Sequence, residues 1–229
     1  HQGALRVSEL SGNRHVATAA RLRRGLVAGF VVAMGLSGCV MPEGGGGIAA
    51  PAAQREAVLA AGTMKFKAAR GYCVDREATK ATTDGGFVLF GSCEALYPSR
   101  SYARPKLPIA LAATVKGAGP SSPLRESFPA LQQFFSSNAG RAALSRVGKA
   151  STVQVLAFQH QGDILLIHLR DTSSTSSDAP IAESYWRGLA SIGGRMVSMS
   201  ALPRAGYDIS DADQRALLLD FAGRVEDLR

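Results

Sequence analysis

Histidine is the side chain best suited to acid–base chemistry near neutral pH, and two histidines lie in the C-terminal half of this chain. His160 falls in a predicted turn, whereas His168 lies within an apolar run, on the polar face of a predicted strand. A hydrolase or small-ligand site could be assembled around His168 from residues far apart in sequence, such as Asp171 and Tyr185, with Asp163 as another candidate partner carboxylate.

The sequence offers no motif that would complete such a site. It contains no Gly-x-Ser-x-Gly elbow, Ser-x-x-Lys, His-Glu-x-x-His or P-loop, and no Gly-x-Gly-x-x-Gly that opens a helix. Asp208, Asp211 and Asp213 lack the glycine and the distal glutamate of a calcium loop, and acidic residues at a helix start are explained by the helix dipole. We therefore predict a noncatalytic protein with no cofactor and no metal, in which His168 is an ordinary sheet histidine.

Composition indicates one globular domain with appendages. The chain has 229 residues, 46% of them hydrophobic and 19% charged, a length that leaves room for one full core. Its net charge is +8, of which residues 1–38 contribute +4 through five arginines and one glutamate. Elsewhere the basic residues are scattered singly, which predicts no nucleic-acid partner.

The region that leads up to the first cysteine has the organisation of a signal peptide. The basic segment Arg21–Arg24 precedes an apolar run from Leu26 to Leu36. This run is too short to span a bilayer, which takes about 20 residues, and small residues follow it. We predict that residues 1–38 are an upstream extension plus a signal peptide.

The end of that leader, Leu36-Ser37-Gly38-Cys39, resembles the lipobox of bacterial lipoproteins. The resemblance implies that the Cys39 thiol is acylated, that Cys39 becomes the new N-terminus, and that several acyl chains anchor the protein in a membrane. The residue after the cysteine is Val40, not the aspartate that in this family commonly signals retention in the inner membrane. The resemblance therefore implies an outer-membrane lipoprotein that faces the periplasm. The alternative is that Cys39 is a buried thiol in an ordinary hydrophobic helix.

Residues 39–54 form a predicted tether. Four consecutive glycines, Gly44 to Gly47, and a segment containing alanine and proline cannot pack into a core. We expect a single folded domain at residues 55–229.

Cys73 and Cys93 remain once Cys39 is assigned to the lipid, and the implied compartment permits disulfides. The turn signal Thr82–Gly86 lies between them and would bring their extended flanks together. We predict a disulfide between Cys73 and Cys93. A redox site or a zinc site is the alternative, but neither the Cys-x-x-Cys spacing nor four paired ligands is present.

Hydrophobic periodicity predicts alternating strands and helices over the rest of the chain. Strands are expected at residues 63–68, 87–90, 109–115, 152–159, 164–170, 183–192 and 195–201. A helix capped by Ser122 is expected to be kinked by Pro129, and a second is expected at residues 140–147. A third, capped by Ser210, is expected at residues 211–228, with Gln214, Leu218, Phe221, Val225 and Leu228 facing inward.

This order predicts the α+β class, with an antiparallel sheet covered by helices and a closing C-terminal helix. Over Thr63–Arg229 the order resembles the PsbP/Mog1-like fold, and an SH3-like barrel or a cystatin-like sheet would leave a similar trace. Members of the PsbP/Mog1-like class are mostly noncatalytic binding or accessory proteins, so the resemblance implies interaction. We expect a lipid-anchored cell-envelope lipoprotein with an envelope protein partner, the alternative being a small-ligand-binding protein or hydrolase built around His168.

Overall fold

A computed structural model describes residues 51–174 and 180–229. The predicted leader, Cys39 and the glycine run of the tether lie outside the described residues, as does the middle of the polar loop predicted at residues 171–180. None of the helices in the described part of the chain combines the length and apolar character that crossing a membrane requires.

The described residues form eleven strands, four α-helices and two short 3-10 helices. The strands are β1 (Glu56–Leu59), β2 (Met64–Lys67), β3 (Tyr72–Val74), β4 (Lys80–Ala81), β5 (Gly86–Ser92), β6 (Ile109–Ala118), β7 (Val153–Gln161), β8 (Ile164–Asp171), β9 (Ser184–Ile192), β10 (Arg195–Pro203) and β11 (Glu226–Asp227). The α-helices are α1 (Cys93–Leu96), α2 (Phe128–Ser136), α3 (Asn138–Leu144) and α4 (Asp211–Gly223), and the 3-10 helices are Leu124–Ser127 and Ala150–Thr152.

Eight strands form one antiparallel sheet in the order β3-β5-β6-β10-β9-β8-β7, with β4 also paired to β5. A smaller sheet has the order β1-β2-β11. The predicted α+β class, built on antiparallel strands with helices packed against them, is confirmed.

One face of the large sheet packs against α4 and the small sheet. The side chains that alternate toward this face include Phe90 on β5 and Trp186 on β9, and both belong to one apolar core with Phe66 and Phe221. The ring centroids of Phe90 and Phe221 are 5.6 Å apart in an edge-to-face arrangement, a geometry that aromatic pairs prefer. This core fixes the C-terminal helix to the sheet.

On the opposite face of the large sheet, helices cover only part of the surface. Helices α2 and α3 lie over β7 and β8, where Leu144 packs with Leu165, Ile167 and Tyr185. The part formed by β5, β6 and β10 has no helix of this kind above it among the described residues, and Thr114 and Ser198 there are half-exposed. The large sheet therefore has one open region on an otherwise packed face.

The C-terminal helix is shorter than predicted. Ser210 caps it as expected, because its Oγ accepts the Asp213 backbone N–H at 3.1 Å. The helix ends at Gly223, and the prediction that it runs to Leu228 with Leu228 facing inward is wrong, since Leu228 is 48% exposed. The chain leaves the helix to form β11, where Glu226 accepts from Lys65 and Lys67 at 2.8 and 2.7 Å.

Three predictions in the helical segment and one at the turn before Ile164 are also wrong. Ser122 does not cap a helix, because the first 3-10 helix begins at Leu124 with Pro123 at its cap position. Pro129 does not kink a helix but lies in the first turn of α2, where its missing N–H has no partner to lose. Helix α3 begins and ends earlier than expected, because Ser137 caps it through the Gly140 N–H. His160 belongs to β7, and the turn is made at Gly162, whose φ of 54° favours glycine.

The predicted disulfide between Cys73 and Cys93 is confirmed. It joins β3 to the start of α1, and both cysteines are fully buried. The bond ties the short edge strand β3 to the start of α1, directly after β5.

Candidate functional site: a cation-lined groove

The structure does not bring the sequence-predicted site together. His168 lies on the α4 face, where its ring stacks on Trp186 with centroids 4.6 Å apart and planes 9° apart. Its Nε2 is 2.8 Å from the Ser184 hydroxyl. Tyr185 and Asp171 belong to the opposite face, so the sheet itself separates them from His168.

His168 is packed among neighbouring side chains of the fold. Burial lowers the pKa of His168. The charge of Asp211 acts to raise this pKa, and the charge of Arg215 acts to lower it further. Trp186 donates its Nε1–H to Asp211 at 3.2 Å. None of the cavities described below is lined by His168.

The two candidate partner carboxylates have other roles. Asp163 accepts the backbone N–H groups of Leu124 and Arg125 at 3.2 and 2.8 Å and so holds the first 3-10 helix against the hairpin. Asp171 is fully buried and accepts the backbone N–H groups of Arg146 and Ser173 at 2.8 and 2.9 Å. Both carboxylates are therefore used in positioning backbone.

A groove occupies the open region of the large sheet, beside α2 and α3. It consists of two adjoining cavities of about 290 and 340 Å³. Thr114, Arg187 and Ser198 line both cavities, so the two form one continuous depression with Arg187 at its centre.

Strand register brings the groove residues together. Ser198 on β10 pairs with Thr114 on β6, and Ser200 pairs with Arg187 on β9. Because side chains alternate between faces, Ser198 and Ser200 both project to the groove while their neighbours Val197, Met199 and Ala201 enter the core on the other side.

Arg187 is held by hydroxyl groups. Its Nε donates to the Ser200 Oγ at 3.2 Å and its Nη2 donates to the Tyr185 hydroxyl at 3.3 Å. Its guanidinium carbon lies 5.8 Å from the centroid of the Tyr185 ring. No carboxylate of the described residues pairs with it, so its charge is not balanced inside the fold.

The rest of the groove is cationic or neutral. Lys116 is exposed at the end nearer α2 and α3, and Arg146 lines the other end. No aspartate or glutamate is among the residues that line the two cavities. Low-dielectric walls around uncompensated positive charge strengthen its attraction for an anion.

The end of the groove nearer α2 has an apolar wall beside Lys116. Phe134 and Phe135 of α2 line it together with Met196 and Leu189, and Phe134 is 44% exposed. The groove therefore combines a central cation, several hydroxyls and an apolar wall.

The groove offers hydrogen-bonding and cationic groups that can bind a ligand. Burial raises the pKa of Tyr185, although the guanidinium groups of Arg187 and Arg146 oppose this, and the phenol stays neutral as a hydrogen-bonding group. Ser198 and Ser200 have no histidine, aspartate or glutamate among the described groove residues to activate them. Nor do the described residues include a cluster of three or more histidine, cysteine, aspartate or glutamate side chains that could hold a metal ion.

Sequence reasoning missed the groove. The alternation of Ser198 and Ser200 with apolar residues in β10 was a signal that this strand is polar on one face. The partners Thr114 and Arg187 come from other strands, and the sequence does not specify that pairing.

A scan of the chain against protein-family models and a search of curated proteins both found no match. No relative therefore supplies a ligand or an activity for the groove residues.

Proposed function

We propose that the chain is a lipid-anchored lipoprotein of the cell envelope, with no catalytic activity, that binds an acidic segment of an envelope protein partner in the Arg187 groove. In this proposal Cys39 carries the lipid in the outer membrane, residues 40–54 form the tether, and the folded domain faces the periplasm. The lipobox-like segment Leu36–Cys39 and the basic, apolar leader before it support this proposed location.

The disulfide supports export. Disulfides persist in oxidising compartments such as the periplasm and are rare where thiols are kept reduced. Cys73 and Cys93 are the cysteines that remain when Cys39 is assigned to the lipid, and they are bonded to each other.

The single observation that carries the binding role is the state of Arg187. It is a half-buried cation whose described partners are two neutral hydroxyls, in a groove without a lining carboxylate. A guanidinium recognises a carboxylate through paired, charge-assisted hydrogen bonds. The apolar wall at Phe134 and Met196 would accept a hydrophobic side chain next to the acidic one.

The fold is consistent with this role. We propose that the domain is PsbP/Mog1-like, and the antiparallel sheet with α4 on one face and α2 and α3 on the other supports that resemblance. Proteins of that class are mostly binding or accessory proteins, which favours interaction by analogy of fold. The alternative centred on His168 has less support, because Tyr185 and Asp171 lie across the sheet from it.

The proposed location is tested by measuring the intact mass and the free-thiol count of the protein extracted from bacterial membranes. The same measurements are made on the Cys39→Ala variant. An acylated chain that starts at Cys39 with no free thiol is expected, and the alanine variant should leave the membrane fraction. An unprocessed chain with free thiols would contradict the proposed compartment.

The binding role is tested by placing a photo-crosslinking amino acid at Thr114 in intact cells, with Asp220 on the exposed side of α4 as the control position. We expect one protein to be captured repeatedly from Thr114 and not from Asp220. Arg187→Ala should remove this product, whereas Arg204→Ala, which changes an exposed arginine elsewhere, should leave it. Absence of any reproducible product from Thr114 would contradict the proposal.

A further inference from the structure

Strand β7 forms one edge of the large sheet. Of the described strands it pairs only with β8, and it runs for nine residues. The opposite edge is β3, which has three residues and is tied to α1 by the disulfide. An edge strand presents a row of backbone N–H and C=O groups that another strand can pair with.

The composition of β7 does not block such pairing. From Val153 to Gln161 the strand contains no lysine, arginine, aspartate, glutamate or proline, which are the residues that natural edges use to prevent strand addition. The register shifts between Val155 and Ala157, an irregularity of the kind that locally interrupts strand pairing, and Leu156 there is 44% exposed. The residues from Ala157 to Gln161 pair with β8 in regular register. The edge therefore offers an apolar contact as well as backbone groups.

A cavity of about 340 Å³ runs beside this edge. It is lined by residues 153–158 together with Ser136 and Arg141 from the two helices that lie over β7. An added strand would lie along residues 153–158 and would pass Arg141.

Arg141 has unused binding capacity. Its Nη2 donates to the Asn138 side-chain oxygen, but its Nε is buried without a hydrogen-bond partner. No described carboxylate pairs with it, and no acidic residue lines this cavity. The Nε itself is enclosed, but Arg141 lines the cavity. Its guanidinium charge is balanced by no described carboxylate, so a carboxylate on a bound strand would form a favourable charge-assisted hydrogen bond with its Nη groups.

We propose that β7 accepts an extended strand from a partner protein, and that Arg141 binds a carboxylate side chain of that strand. A second copy of this chain is a poorer occupant, because its β7 carries no acidic residue and would bring a second Arg141 to the same place. This surface is separate from the Arg187 groove and needs neither the groove nor the lipid anchor.

The test uses the full chain and two short, soluble peptides of alternating threonine and valine, one with a central glutamate and the other with glutamine there. The expected result is that the glutamate peptide slows hydrogen exchange of the β7 amides and binds about tenfold more tightly, as one charge-assisted contact predicts. Arg141→Ala should reduce its affinity to that of the glutamine peptide, while Arg204→Ala should not.

A second variant separates the edge from a folding defect. Leu156→Lys places a charge on the exposed edge and should weaken both peptides, whereas Val58→Lys, at a similarly exposed apolar position on β1, should weaken neither. Circular dichroism would show whether each variant is folded.

Four outcomes would overturn the proposal. The first is that neither peptide binds, and the second is that both bind the wild type equally. The third is concentration-dependent self-association that Leu156→Lys abolishes, which would make the edge an interface between copies. Exchange protection at β9 and β10 in place of β7 would also overturn it while leaving the Arg187 groove supported.

Discussion

Two arginines lie over the same tyrosine ring and differ in what balances their charge. The guanidinium carbons of Arg146 and Arg187 are 5.6 and 5.8 Å from the centroid of Tyr185. Arg146 lies 3.4 Å from the carboxylate of Asp171 and donates to the Asp171 carbonyl at 2.6 Å. Arg187 donates to the hydroxyls of Ser200 and Tyr185 and pairs with no carboxylate of the described residues.

The difference separates a structural cation from an available one. Asp171 is fully buried and the Arg146 side chain is 16% exposed, so each depends on the other for charge compensation inside the fold. Arg187 lines an open groove and keeps its charge uncompensated. Cation–π contact with the same ring is therefore not what decides the role of either arginine. The carboxylate decides it.

The largest effect is expected from Asp171→Asn. This change keeps the shape of the side chain but leaves Arg146 without its carboxylate, and breaking one partner of a buried pair costs about 3 kcal/mol or more. Urea unfolding should show this loss, while Asp208→Asn, at an exposed carboxylate, should change the free energy of unfolding by less than about 0.5 kcal/mol. Equal effects of the two changes would remove the distinction between the arginines.

Lowering the pH should reduce the difference in free energy of unfolding between the wild type and Asp171→Asn. Burial by itself would raise the pKa of Asp171, but the hydrogen bonds from the backbone N–H groups of Arg146 and Ser173 outweigh it, and the pKa lies below the usual 3.8. A lowered pKa contributes stability that is present above the unfolded value and lost as the pH falls through the folded value.

The stability difference between the two proteins should therefore be constant from pH 7 to about pH 5 and shrink below about pH 4. Unfolding in urea across this range measures it. A difference that stays the same down to pH 2 would show that the charge of Asp171 does not support Arg146.

The elements that the sequence predicted well are the ones that short-range patterns specify. The Ser210 cap and the adjacent strands predicted at residues 183–192 and 195–201 each depend on a few neighbouring residues. The disulfide followed from counting cysteines and from the turn signal between them.

Long-range pairing decided what the sequence could not predict. Thr114 and Ser198 meet through the pairing of β6 with β10, and no local pattern specifies which strands become neighbours. The same limit explains His168: alternation assigns it to one face, but only the pairing of β8 with β9 places it on Trp186, away from Tyr185. The alternation of residues along a strand predicts which face each side chain occupies. Predicting which side chains from different strands come together also requires the order of the strands in the sheet.

A smaller effect is expected from Arg187→Ala. No carboxylate is left unpaired by this change, and the Ser200 and Tyr185 hydroxyls lose one hydrogen bond each, so the free energy of unfolding should fall by about 1 kcal/mol. Thermal or urea unfolding measures this value alongside Asp171→Asn. A loss as large as that of Asp171→Asn would make Arg187 a structural cation like Arg146.

The smallest effect is the response of the wild type to a simple dicarboxylate such as glutarate. An anion that binds only the native state stabilises it by RT ln(1 + [L]/Kd), which is about 0.4 kcal/mol when the concentration equals Kd. We expect a saturable rise of that order in the free energy of unfolding, measured against sodium chloride at matched ionic strength because salts also act generally.

Arg187→Ala should abolish the glutarate response and Arg204→Ala should retain it. Arg146 remains in the groove in both variants, so the comparison asks whether the cation without a carboxylate is the one that binds the anion. A response that persists in Arg187→Ala would place the binding capacity elsewhere, since Arg146 is already occupied by Asp171. A response confined to chains that retain Arg187 would identify the uncompensated guanidinium as the origin of anion binding.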